Sequence, residues 1–195
     1  MSRLDQFRKK LLQTPFTGYA YAYPHKTAYR DFTKPVSLDS LWAKEDLSKL
    51  FLYVHIPFCE MRCGFCNLLT TSTGTNSLID QYLDQLYRQV NLIGSKLPEA
   101  SFAQVAIGGG TPTFLTCQQL ERLMTMMDYL HQGDQRAIEV SPGTITLEKI
   151  RLLLDHNVHR FSMGIQSFFD CEAKSVGRPQ KTAMVMQALE ILSSA

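Results

Sequence analysis

At 195 residues, 45% of them hydrophobic and 19% charged, the chain can bury one core and is not disordered by composition. A net charge of +2 argues against nucleic acid as a main partner, and no apolar run reaches the ~18–20 residues that cross a bilayer. The basic stretch Arg8-Lys9-Lys10 has no long apolar segment after it, so no signal peptide is read and the expected location is cytoplasmic.

Residues 1–50 are basic, with nine Lys/Arg against five Asp/Glu, whereas the remainder carries eleven against thirteen. Leu4, Phe7, Leu11 and Leu12 fall at helical spacing, and an aromatic segment from Tyr19 to His25 follows them. This part is expected to be a leader or cap on a larger domain spanning 51–195. Phe51 to Ile56 is β-branched and aromatic and stops at Pro57, which reads as a strand. Ile79, Tyr82, Leu83, Leu86, Val90 and Ile93 share one helical face, with Ser77 expected at the N-cap. Phe102 to Ile107 is a second strand, closed by three glycines. Thr116 and Gln119 form a capping-box pair ahead of a helix from Leu120 to Leu130. Ala137–Val140, Thr146–Asp155, Arg160–Met163 and Lys181–Leu192 complete four strand–helix units.

Strict alternation of this kind calls for a parallel sheet with helices on its outer face. The expected fold class is therefore α/β, a partial (β/α) barrel of the TIM type. A complete eight-unit barrel takes roughly 250 residues. Residues 51–195 hold about half of one, so the chain is expected to be part of a longer protein. An isolated half would leave its last strand edge unpaired, an aggregation liability.

Three of the five cysteines cluster as Cys59-Glu-Met-Arg-Cys63-Gly-Phe-Cys66, a C-x3-C-x2-C array just after the first strand. In a chain without secretory features this argues for metal chemistry rather than disulfides. Three thiolates on one loop can reach three irons of a cubane and leave the fourth open. A structural zinc site completed by His55 is the main alternative, and incidental clustering is the third. Spacing by itself leaves these open. Cys117, near a helix start, reads either as a low-pKa thiol or, more simply, as a small buried hydrophobe. His25, His131, His156 and His159 have no ligand-like spacing.

The run from Tyr53 through Cys59, Cys63 and Cys66 resembles the signature of radical S-adenosylmethionine proteins. Within them it is similar to the branch of oxygen-independent coproporphyrinogen III oxidase, which includes heme chaperones and anaerobic heme-degrading enzymes. Gly108-Gly-Gly-Thr-Pro-Thr113, Glu139-Val-Ser-Pro142, Arg160-Phe-Ser-Met-Gly-Ile-Gln166-Ser-Phe168 and Val176-Gly-Arg178 resemble further motifs of that branch, in order.

The resemblance implies a [4Fe–4S] cluster on Cys59, Cys63 and Cys66 with S-adenosylmethionine at the open iron. It implies cofactor contacts at Tyr53, Phe65, Gly109, Gly110, Thr111, Glu139, Gln166 and Arg178. Taken singly, each has a plainer reading: a tight turn for the glycines, a surface position for Glu139, a solvated Arg178, core for Tyr53 and Phe65. The implied partners are a small-molecule substrate, a tetrapyrrole among the candidates, and a reducing electron donor such as flavodoxin or ferredoxin. Two departures stand out: Leu68 where the oxidases carry a further cysteine, and Ser141 where their strand carries an aspartate. A heme-binding chaperone on the same scaffold and an inactive fragment are the alternatives to an enzyme.

Overall fold

In the computed structural model the side chains of Leu50–Ile56 and Arg136–Val140 alternate between a more buried and a more exposed face, as the period of two in a strand requires. The structure describes residues 30–130 and 136–195. The proposed leader helix around Leu4–Leu12, the Tyr19–His25 segment, and His131 lie outside the described residues. The chain divides into two units, Met1–Ser37 and Leu38–Ala195. Of the first, residues 30–37 are irregular and exposed.

The second unit carries the sheet. Strands β1 (Leu50–Ile56), β2 (Phe102–Gly109), β3 (Arg136–Val140) and β4 (Val158–Met163) pair in parallel in that order. Neighbouring parallel strands need a crossover, and each contains a helix. These are α2 (Asn76–Lys96), α3 (Cys117–Leu130) and α4 (Leu147–Asp155); a one-turn helix α1 (Leu38–Trp42) precedes β1. After β4 come α5 (Asp170–Ser175) and α6 (Thr182–Ser194). The four-unit α/β half barrel read from the pattern is the observed architecture. Among the described residues, no helix is long and apolar enough to cross a membrane.

Val54, Ile56, Val105, Ile107, Ile138 and Val140 project from the sheet into a core with Leu83, Leu120, Met124, Met127, Ile150, Leu153 and Ala188 of the helices. Burial of each such aliphatic side chain contributes about 1.5–3 kcal/mol. The opposite face presents Phe51, Tyr53, Ala106, Glu139, Arg160 and Ser162 to an open cavity of about 440 Å³.

Helix entry is set by hydroxyl caps. Thr146 caps α4 by accepting from the Lys149 amide at 3.3 Å. Thr116 and Gln119 form the expected reciprocal box, at 3.1 and 3.2 Å. The cap of α2 is Thr75, not Ser77: Thr75 Oγ1 accepts from the Leu78 amide, while Ser77 lies inside the first turn and accepts from Gln81. Two hydroxyls two positions apart are equivalent by propensity, and only backbone dihedrals separate them. Helices α1 and α5 were not expected; five or six residues are too few to show a period.

Candidate metal centre

Parallel registration brings His55 opposite Gly108 and Ile56 opposite Gly109, so the loops leaving β1 and β2 emerge side by side. The pairing continues beyond the strands, because Gly110 N–H donates to the Ile56 carbonyl at 2.7 Å and Thr111 N–H to that of Phe58 at 2.8 Å. Carboxyl ends of parallel strands are where α/β proteins place their sites. All three clustered cysteines stand on this rim.

The cysteine loop is closed at its base by the Cys59 amide donating to the Thr71 carbonyl at 3.0 Å and the Thr71 amide to that of Pro57 at 2.8 Å. Within it, the Cys66 amide donates to the Cys63 carbonyl at 3.1 Å, the turn that sets those two thiols. Gly64 docks the loop on the end of α5, its N–H donating to the Val176 carbonyl at 3.2 Å. A Cβ there would lie 2.9 Å from that same oxygen, which is why glycine occupies the position. Gly177 makes the facing turn at φ +68°.

All three thiols are free and partly exposed. Cys59 Sγ lies 3.2 Å from Thr111 Oγ1, and Cys66 Sγ 3.7 Å from Thr70 Oγ1. Arg178 Nη1 donates to Cys63 Sγ at 3.8 Å. Burial pushes the Cys63 thiol up from its ordinary pKa, against the downward pull of Arg178. Bound metal reverses such a burial effect by favouring the thiolate.

His55 lies within β1, and its Nε2–H donates to the Leu69 carbonyl at 2.8 Å. That nitrogen holds its proton, which leaves Nδ1 as the ring's acceptor. Among the described residues, no three His, Cys, Asp or Glu side chains converge on one ion position. Three thiols with no fourth protein donor suit a cubane with an open iron, in which each sulfur meets a different metal atom.

Glu139 is exposed on the open sheet face, and its carboxylate accepts the Gly109 amide at 3.0 Å. A Cβ on Gly108 would lie 2.7 Å from the same carboxylate oxygen. Tyr53 borders this cavity, its hydroxyl raised in pKa by burial and then by Glu139. Phe65 is half exposed on the loop. Gln166 stands exposed in the segment after β4 and, among the described residues, joins neither the thiols nor Glu139. Tyr53, Glu139 and Gly109 thus form one group; Cys59, Cys63, Thr111 and Arg178 form another.

Three participants escaped the motif reading. Ser141, 4% exposed, donates to Glu60 Oε2 at 2.8 Å and accepts from Arg178 Nη2 at 3.4 Å. Glu60 comes from the cysteine loop, so an acid inside the array faces the arginine through a hydroxyl. Gln180 lines a second, small cavity together with Cys59, Cys63, Thr111, Ser141 and Arg178. Ser141 was visible as a departure from a motif, but its partners lie 81 and 37 residues away. Cys117 is not a low-pKa thiol: burial raises it, and Glu148 raises it further.

A parallel half barrel with three thiols on the loop after its first strand matches the radical SAM superfamily over residues 53–195, and the chain belongs to that family. The family works with a [4Fe–4S] cluster and S-adenosylmethionine. Over 181 residues the chain is 32% identical to the oxygen-independent coproporphyrinogen III oxidase of Salmonella typhimurium, covering 88% of this chain and 39% of that protein. Over 142 residues it is 32% identical to the heme chaperone HemW of Bacillus subtilis, covering 71% and 37%. The solved structure of coproporphyrinogen III oxidase (HemN) from Escherichia coli, a radical SAM enzyme, superposes with TM-score 0.79 at 27% identity. That match covers 95% of this chain and 42% of the other. The chain thus spans about two fifths of the length of these relatives.

Proposed function

We propose that Cys59, Cys63 and Cys66 hold a [4Fe–4S] cluster and that the chain binds S-adenosylmethionine beside it for reductive cleavage. The observation that carries this reading is three free thiols on one rim loop, with no three His, Cys, Asp or Glu side chains among the described residues converging on a single-ion position. A cluster held by Cys59, Cys63 and Cys66 would supply the single electron for reductive cleavage of S-adenosylmethionine, and so the radical chemistry of the family. The protein supplies orientation and exclusion of side reactions.

Glycines at 109 and 110 let the backbone approach the ligand, and Glu139 holds the Gly109 amide in place while keeping its second oxygen for a ligand donor. Tyr53 and Phe65 offer aromatic faces, with Gln166 in a further polar contact. Arg178 has five N–H donors and engages Cys63 and Ser141 only at long range, which leaves capacity for a carboxylate. Thr111 sits against Cys59 and fixes the loop's approach to the glycine turn.

The substrate proposed is a tetrapyrrole of porphyrin or heme metabolism, by analogy with the named relatives, and the electron donor a flavodoxin or ferredoxin. A heme-binding role without turnover is the second reading, favoured by the match to HemW and by Leu68 in place of the oxidases' further cysteine.

Anaerobic reconstitution with iron and sulfide, reduction, addition of S-adenosylmethionine and assay for 5′-deoxyadenosine test the proposal. Product that disappears in Cys63→Ala is expected. Stoichiometric heme binding with no 5′-deoxyadenosine would favour the second reading, and a colourless protein holding one zinc would sink both.

A further inference from the structure

Glu60 directly follows Cys59 and reaches across to the turn after β3, where its Oε2 accepts from the Ser141 hydroxyl at 2.8 Å. Ser141 Oγ in turn accepts from Arg178 Nη2 at 3.4 Å, and Arg178 Nη1 donates to Cys63 Sγ at 3.8 Å. The polarity of this relay is fixed by its ends. A carboxylate only accepts and a guanidinium only donates, so the single serine proton goes to Glu60 and a serine lone pair faces Arg178. An acid on the cysteine loop thus orients, through one hydroxyl, the arginine beside the next cysteine.

Each member of the relay is seated. Ser141 is 4% exposed, and its carbonyl accepts from the Thr144 amide at 3.0 Å. A Cβ on Gly143 would fall on Glu60 Oε1, so the carboxylate occupies space that a glycine leaves. A Cβ on Gly164 would lie 3.2 Å from Arg178 Nη2, which sets the guanidinium against that backbone. The Arg178 amide donates to the Ala173 carbonyl at 3.1 Å and fixes the base of the side chain at the end of α5. Where the strand of the oxidases carries an aspartate, Ser141 stands here, and the acid comes from the cysteine loop instead.

We propose that Glu60 is a positioning residue of the metal centre, acting through Ser141 to hold Arg178 at the Cys63 sulfur. The inference rests on the cluster reading above and adds to it a residue outside the motifs. Cluster potentials follow net charge and hydrogen bonds to sulfur, and a cation held at a ligand sulfur favours the reduced form. Glu60 also carries a negative charge of its own, which acts in the opposite sense. A decisive comparison therefore holds the charge at position 60 constant.

Glu60→Gln and Glu60→Ala remove the same charge, but only glutamine keeps an oxygen for the Ser141 proton. Midpoint potentials of the reconstituted chain are measured for both, without S-adenosylmethionine, with Arg178 intact and again in an Arg178→Met background. Glu60→Ala is expected at the more negative potential, and the difference is expected to vanish in Arg178→Met. Urea midpoints of the same four proteins, metal-free, are expected to show Glu60→Ala less stable than Glu60→Gln, with the gap narrowing in Arg178→Met. Equal potentials for the two variants, or the reverse order, overturn the assignment. A difference that survives in Arg178→Met overturns it as well and places the effect in the loop itself. An unsubstituted chain that takes up no iron and sulfide overturns the cluster reading instead. The urea comparison then decides by itself whether Glu60 holds Arg178, and a gap independent of Arg178 overturns that.

Discussion

Lys149 Nζ donates to the Thr113 carbonyl at 2.6 Å and to the Thr144 carbonyl at 3.3 Å. The two acceptors belong to the turns that follow β2 and β3, Pro112–Phe114 and Pro142–Thr144. Thr113 Oγ1 and Thr144 Oγ1 meet at 2.6 Å beneath the same ammonium. One turn begins at Thr111, against Cys59; the other begins at Ser141, against Glu60 and Arg178. A lysine on α4 therefore clamps the two turns that support the cysteine loop.

Lys149→Met is expected to destabilise the protein by about 2 kcal/mol, the scale of lost bonds to a charged donor. That corresponds to a fall of roughly 4–8 °C in melting temperature for a unit of this size. The contribution also depends on pH. Burial holds the Lys149 pKa below its ordinary value, so the unfolded state keeps its proton to higher pH. Stability from this group rises with pH between the lowered value and about 10.4. Melting curves of both proteins at pH 7 to 10 isolate the term by difference, and a gap that shrinks toward pH 10 would contradict the sign.

Asp128 joins α3 to β3 and to the end of α4. It accepts from Arg136, which is 3% exposed, and its other oxygen lies 2.7 Å from His156 Nδ1. Burial works to raise the Asp128 pKa, but the bonds from Arg136 and His156 outweigh it and hold the acid below its ordinary value. A depressed acid stabilises the fold above its unfolded pKa of about 3.9 and loses that contribution as pH falls through the folded value. Asp128→Asn is expected to cost about 2 kcal/mol at pH 7, kept modest because the carboxylate is partly exposed. Urea midpoints at neutral pH and near pH 2.5 check this, since the difference between the proteins should narrow as pH falls.

Gly64→Ala tests the seat of the cysteine loop. The added methyl meets the Val176 carbonyl oxygen, which is backbone at the end of α5 and has little room to yield. Overpacking of this kind costs about 1–3 kcal/mol, and here it falls on the loop rather than on the sheet. Iron and sulfide per chain after reconstitution are expected to drop while the far-ultraviolet spectrum stays unchanged. Full cluster content in the variant would show that the loop binds metal without this seat.

What local order can specify was readable from the residues. β-Branched and aromatic runs located the four strands and helical spacing the four long helices, and the Thr116–Gln119 box appeared where it was expected. The C-x3-C-x2-C spacing placed three thiols on one loop for the same reason, since ligands within eight residues need little tertiary help. Tertiary structure alone decided that His55 turns to the Leu69 carbonyl, that Glu60 meets Ser141 across 81 residues, and that Lys149 binds two separate turns. It also decided that Gln180 Oε1 is buried with no donor among the described residues. Parallel strands joined by crossovers bring distant rim loops together, and nothing in the local chain records which side chains will face each other there.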